Sequence, residues 1–127
     1  MLVVDLEILA EAIGESDVVI TSIRSGSSEA VSVRFGQGGT FAYYAGAEKI
    51  RTTARNRLDR WLHSRVTVHL DTATYDWRLT AADGTGIVNV RDIPFRESVD
   101  GASSVCIGTS AAPGRPVVRF DGVRVAH

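Results

Sequence analysis

Across residues 60–80 apolar and polar side chains change places at every step, and that rhythm leaves the stretch one backbone form. Leu62, Val66, Val68 and Leu70 hold even positions, with His63, Arg65, Thr67 and His69 between them. Past Asp71, Thr72, Ala73 and Thr74 the rhythm resumes in opposite parity: Tyr75, Trp77 and Leu79 are apolar, while Asp76, Arg78 and Thr80 are polar. A helix would scatter both sets around its axis, whereas a strand sends alternate side chains to opposite faces. The short Asp/Thr cluster between the two runs predicts a hairpin. With residues 71–74 as a four-residue loop, Leu70 faces Tyr75, Val68 faces Trp77 and Val66 faces Leu79. On the polar side His69 then faces Asp76, Thr67 faces Arg78, and Arg65 faces Thr80. A slip of one residue would mix the two faces, so the pattern enforces the pairing.

The same reading extends along the chain. Leu2, Val4, Leu6, Ile8 and Ala10 alternate through a long first strand, ended by a turn at residues 14–17. Residues 18–23 read as a more fully buried strand, residues 24–29 as a turn, and Val31, Val33 and Phe35 as a third strand. Gly36, Gln37, Gly38 and Gly39 lack the following helix that a phosphate loop needs and read as a turn into an aromatic strand at residues 40–44. Tyr43 and Tyr44 fall on opposite faces of it. Beyond a turn at residues 81–86, short strands are expected at residues 87–91, 104–108 and 117–125, with a sharp turn at residues 113–116. The last strand is interrupted at Asp121 and Gly122, where a bulge is expected, and Pro94 suits an edge or a loop. Residues 48–62 allow two readings. Ile50, Ala54, Leu58 and Leu62 recur at helical spacing, with Arg51, Arg55, Arg57 and Arg60 opposite; the alternative is a strand followed by a loop.

At 127 residues, 44% hydrophobic and with mean hydropathy +0.04, the chain suits a single globular domain over residues 1–127. A formal charge of −1 gives no global attraction to nucleic acid or to an anionic membrane, so neither is expected as a partner. No apolar run approaches the roughly 20 residues that span a bilayer. The N-terminal residues 1–7 have no basic region and are not read as a signal peptide. A complete chain is expected in the cytoplasm, and a domain cut from a longer secreted product outside the cell. Thirteen arginines against one lysine suggest a high-GC bacterial genome. The single Cys106 excludes an internal disulfide, and between Val105 and Ile107 it is expected to be a small buried hydrophobe.

Three stretches taken in order carry a family resemblance. They are Ala30-Val31-Ser32-Val33-Arg34-Phe35-Gly36-Gln37-Gly38-Gly39-Thr40-Phe41; the run from Leu58-Asp59-Arg60-Trp61 through Val66-Thr67-Val68-His69-Leu70-Asp71 to Tyr75-Asp76-Trp77; and Val118-Arg119-Phe120-Asp121-Gly122-Val123-Arg124-Val125. Together they resemble the concanavalin-like, laminin-G-like jelly-roll domains attached to secreted bacterial polysaccharide-active enzymes. The resemblance implies an all-β, antiparallel jelly-roll-like β-sandwich, and it favours the strand–loop reading of residues 48–62. It implies an accessory module that binds carbohydrate and carries over no catalytic set. Laminarinase-like hydrolases of this architecture bear E-x-D-x-x-E. The nearest run here, Asp5 to Glu11, lacks that motif and reads as a solvated strand face.

The candidate ligand contacts are Trp61, His63, Arg65, His69, Asp76 and Arg78 on the polar side of the central hairpin, with Arg34 and Tyr44. An aromatic plane suits a sugar ring, and charged groups suit its hydroxyls or carboxylates. Carbohydrate is therefore the expected partner, acidic polysaccharide included. His63 and His69 lie about 20 Å apart along one strand and cannot share a metal. Asp83, Asp92, Asp100 and Asp121 are too scattered for calcium, so no metal or other cofactor is expected. Two further readings stand beside the binding module: a small enzyme using His69 and Asp76 in an enclosed pocket, and a structural domain whose exposed aromatics form a homo-oligomer.

Overall fold

The computed structural model describes residues 1–12, 16–55, 60–108 and 117–127. Within them the chain forms β1 (Leu2–Ala12), β2 (Val18–Ser25), β3 (Ser28–Phe35), β4 (Thr40–Ala45), β5 (Glu48–Arg55), β6 (Trp61–His69), β7 (Thr74–Ala81), β8 (Gly86–Pro94), β9 (Ser104–Cys106) and β10 (Val117–Ala126). They assemble into two antiparallel sheets, ordered β10-β1-β6-β7-β8 and β5-β4-β3-β2-β9. The sheets stack as a jelly-roll-like, concanavalin-type β-sandwich. The expected turn at residues 113–116 and the first part of the one at residues 14–17 lie outside the described residues, as does the middle of the 48–62 segment.

Alternation explains the layering. Leu2, Val4, Leu6, Ile8 and Ala10 of β1, and Leu62, Val66 and Val68 of β6, all point inward and are buried. From the second sheet Ile20, Ile23, Val31, Val33, Phe35 and Phe41 meet them. Trp77 is fully buried at the centre, with the Phe41 ring edge-on at 6.2 Å and the Tyr43 ring at 6.3 Å. As expected, Tyr43 and Tyr44 take opposite faces; it is Tyr43 that packs on the core. Burying a side chain as large as Trp77 outweighs any one strand-pair contact, which adds only about 0.2–1 kcal/mol.

The central hairpin forms with the expected faces but a different register. Val66 lies opposite Trp77, Val68 opposite Tyr75 and Ser64 opposite Leu79. The turn occupies residues 70–73, not 71–74, because Ala73 adopts φ 55° and Thr74 already belongs to β7. Leu70 therefore sits in the turn, 42% exposed. Partners move by two residues, so no side chain changes face. Thr67, not His69, lies opposite Asp76, and Arg65 lies opposite Arg78.

Residues 48–55 are a strand, which removes the helix reading there: β4 pairs Tyr43 with Ile50 and Tyr44 with Lys49. Cys106 is exposed, contrary to the buried position expected of it. It lies opposite Ser22 on the three-residue edge strand β9, while its neighbours Val105 and Ile107 pack on the core. Alternation, applied to that short stretch as well, separates Cys106 from both.

Two bulges set what reaches solvent. Opposite Leu6, β10 carries an extra residue around Gly122 at φ +59°, so Arg124 faces Asp5 and Asp121 faces Glu7 on the same outer surface. In β3 a register shift between Val31 and Glu29 leaves Ala30 in the core and turns Glu29 outward beside Ser32 and Arg34. The turn preceding it is shorter than residues 24–29, since Arg24 pairs with Glu29 and Ser25 with Ser28.

Candidate functional site

The outer surface of the second sheet carries a solvent-open hollow of about 360 Å³ lined by Asp17, Val19, Ser22, Arg24, Glu29, Arg34, Cys106 and Gly108. Its floor is a buried carboxylate. The Glu29 side chain is 3% exposed and accepts from the Ser22 hydroxyl, from Arg24 Nη2 at 3.2 Å and from Arg96 Nη1. Arg24 also donates from Nε to Ser22 at 3.2 Å, and the Glu29 backbone N–H donates to Glu97 at 2.8 Å. Three donors compensate the desolvated charge. A buried ion network of this kind is a weak source of net stability; what it secures is geometry.

That geometry brings two guanidinium groups onto one aromatic ring. Arg96 lies 3.9 Å and Arg34 5.3 Å from the centre of the Tyr44 ring. Arg34 is steadied from Nε by the Ser32 hydroxyl at 3.0 Å. The strand beneath is tied to the other sheet, because the buried Tyr75 phenol donates to the Tyr44 carbonyl at 2.5 Å. Burial, with the nearby Tyr43 adding to it, pushes the Tyr75 phenol well above its ordinary value. At the rim Asp17 accepts from Arg51 Nη2 at 2.7 and 2.9 Å and pairs with Lys49. Gly36 makes this possible, since a Cβ there would lie 2.2 Å from Asp17 Oδ1 and 2.5 Å from its Cα.

The outer surface of the first sheet holds two shallower hollows, about 310 and 270 Å³, that share His63 and Arg65. Asp5, Glu7, Gly122 and Arg124 complete one, and Arg78 and Thr80 the other. Both ring nitrogens of His63 face carboxylates: Nδ1 lies 2.7 Å from Glu7 and Nε2 2.8 Å from Asp5. Carboxylates only accept, so this placement favours the doubly protonated, imidazolium form of the ring. Burial pulls the His63 pKa down, but the hydrogen bonds and charges of Glu7 and Asp5 outweigh it and raise the value. Asp5 also takes Arg65 Nε at 2.8 Å; against the upward push of burial, Arg65 and His63 hold its carboxyl below the ordinary range.

The structure divides the eight expected contacts. Trp61, His63, Arg65, His69, Asp76 and Arg78 stand on the first sheet, and Arg34 and Tyr44 on the outer side of the second, with the core between. Trp61 is 39% exposed opposite Leu9. His69 Nε2 lies 3.2 Å from Asp76 Oδ2, a diagonal contact, and Asp76 also accepts the Asp92 N–H at 2.9 Å. These two partners overcome burial and lower the Asp76 pKa. Arg24, Glu29, Arg96 and Asp17 were not anticipated, and Arg51 was read only within the basic face of residues 48–62. The one local signal was Arg24 and Glu29, placed symmetrically about Gly26-Ser27 so that a two-residue turn sets them opposite each other. Among the described residues no group of three or more His, Cys, Asp and Glu side chains is placed to hold a metal ion, and no helix is long and apolar enough to cross a membrane.

No protein-family model matches the chain, and no curated protein sequence matches it. Solved structures share its fold. A Trypanosoma rangeli sialidase in complex with 2,3-difluorosialic acid superposes with TM-score 0.72 at 14% identity, over 98% of this chain and 20% of that one. The catalytic domain of a glycoside hydrolase family 131 protein from Coprinopsis cinerea gives 0.63 at 15% identity, over 99% of this chain and 56% of that one. Congerin II, with lactose and MES bound, gives 0.55 at 12% identity, over 98% of this chain and 90% of that one. The chain thus spans a fifth or less of the length of two sialidases whose fold it shares, 13% of one and 20% of the other.

Proposed function

We propose that the domain is a non-catalytic carbohydrate-recognition or accessory module whose ligand occupies the hollow on the outer face of β5-β4-β3-β2-β9. One observation carries the reading: the Glu29–Arg24–Arg96 network and the Tyr44 ring packed against Arg96 and Arg34 form a fixed polar array on an open surface. Sugars present many hydroxyls at set angles, and groups already locked in place bind them at low ordering cost. Arg24 and Arg34 line the hollow and offer paired planar donors, with the Tyr44 ring packed beside Arg34. Arg34 pairs with no carboxylate among the described residues, which favours a saccharide carrying an acidic group. A structure of this fold at near full length, congerin II, holds lactose, and this supports the ligand class.

The enzyme reading needs His69 and Asp76 in an enclosed cavity. Their side chains are 29% and 33% exposed and line none of the three hollows described above. The openness of the array favours binding. Retention of the protein on immobilised neutral and acidic polysaccharides, compared with an Arg34→Ala/Tyr44→Ala variant, tests the proposal. Retention that the variant loses, with no new reducing ends released, agrees with it. No retention on any glycan, or equal retention of both proteins, contradicts it.

A further inference from the structure

The first sheet carries a second array on the opposite surface, which the function above does not use. Strand register sets Arg124, Asp5, Arg65, Arg78 and Asn89 side by side across β10, β1, β6, β7 and β8. Beside that row run Asp121, Glu7, His63, Thr80 and Gly86. The bulge at Gly122 is what turns both Arg124 and Asp121 outward. The two hollows share His63 and Arg65, and their linings together span four strands.

The acidic groups at the middle of this face are already matched. Asp5 is held by Arg65 and His63, and Glu7 by His63. Arg78 and Arg124, one in each hollow, pair with no carboxylate among the described residues. With neighbouring strands about 4.8 Å apart, their backbones lie about 14 Å apart across three strand steps. Trp61 stands two residues from His63 on the same face, its ring partly exposed. Two guanidinium groups set well apart over a self-neutralised floor, with an aromatic ring alongside, suit an extended ligand bearing repeated carboxylates and apolar ring faces.

We infer that the outer face of β10-β1-β6-β7 is a second, independent binding surface for a chain of carboxylated sugars, which Arg78 and Arg124 grip at two points while Trp61 stacks on a ring. The domain then has a saccharide surface on each side of the sandwich and joins two segments of an acidic polysaccharide. This surface does not depend on the hollow of the second sheet. Its two arginines are exposed, so replacing them leaves the core untouched.

The test is calorimetric titration of oligogalacturonate into the wild type, Arg78→Ala/Arg124→Ala and Arg34→Ala/Tyr44→Ala, with a DNA oligonucleotide and a neutral dextran oligomer as comparison ligands. The expected result is two sites per wild-type chain and one in each variant, the missing site being weakened at least roughly tenfold. Long polygalacturonate is expected to turn turbid with the wild type but with neither variant. A single wild-type site abolished by Arg34→Ala/Tyr44→Ala overturns this inference and spares the proposed function. A single site abolished by Arg78→Ala/Arg124→Ala upholds this surface and contradicts the other. DNA bound as tightly as oligogalacturonate at the first-sheet surface, or no oligogalacturonate bound there, overturns the inference.

Discussion

The Trp77 indole N–H donates to the Ser64 hydroxyl at 3.0 Å, with both residues buried on neighbouring strands of the first sheet. Ser64 stands where the even-position rhythm of β6 calls for an apolar residue. The bond explains the exception, since an indole N–H at the centre of a sandwich has no water to reach. Ser64→Ala is expected to lower unfolding stability by about 1–3 kcal/mol, the cost of an unsatisfied buried donor. Denaturant unfolding measures it, and Trp77→Phe/Ser64→Ala is expected to show less than the sum of the two single effects. Additive effects would show that the bond contributes nothing.

Gly36 and Asp17 make a second structural claim. Any Cβ at position 36 runs into the Asp17 backbone, so Gly36→Ala must displace the entry to β2 and with it the anchor of Lys49 and Arg51. A loss of about 2 kcal/mol or more is expected in thermal unfolding. Asp17→Asn, which keeps the backbone path, is expected to cost less. The reverse ranking would show that the ion pairs, not the close approach, matter at this corner.

Tyr75 links the core to the proposed sugar array without touching a ligand. Tyr75→Phe removes the donor to the Tyr44 carbonyl, at about 1 kcal/mol of stability. It also frees the strand segment that presents Tyr44 to Arg34 and Arg96. Glycan affinity in the second-sheet hollow is expected to fall by a few-fold while Arg78 and Arg124 binding is unchanged. Unaltered affinity with lowered stability would show that the array is set by its own ion pairs alone.

His63 makes stability depend on pH. Its folded pKa is raised above the ordinary 6.5 by Glu7 and Asp5. Its contribution is therefore complete below that ordinary value and is lost as pH rises through the higher folded value. Asp5, whose pKa is lowered below 3.8, acts in the other direction: its share is present above that value and fades as pH falls through the folded pKa. The charged groups around the ring are Asp5 and Glu7 on β1, Arg65 on β6, Arg78 on β7, and Asp121 and Arg124 on β10. The melting temperature is expected to decline from mildly acidic to mildly alkaline pH, and His63→Gln to flatten that decline. Parallel curves for the two proteins would contradict the imidazolium assignment. Surface screening keeps the effect modest.

Strand period and turn residues were enough to read most of the layering from the residues alone, because every buried position in β1, β6 and β7 except Ser64 is marked by a side chain that water disfavours. Register was legible only modulo two. Hydrophobic alternation penalises a one-residue slip but is blind to a two-residue one, and the left-handed Ala73 that decides it looks like an ordinary turn residue. The candidate contacts on β6 and β7 shared a face for the same reason of parity. Arg34 and Tyr44 looked equally polar, yet nothing local says which sheet a strand joins. Glu29 stayed hidden because a bulge at Ala30 reverses parity, and bulges leave only a weak mark on composition.

The most direct test of the central claim maps a bound saccharide onto the two-layer frame. Amide chemical shifts are followed while the best-retained oligosaccharide is titrated into isotopically labelled protein. The account predicts saturable shifts centred on Arg24, Glu29, Arg34 and Tyr44, abolished in Arg34→Ala/Tyr44→Ala. A saccharide that binds while those four residues stay silent, or a protein that no saccharide perturbs, contradicts it.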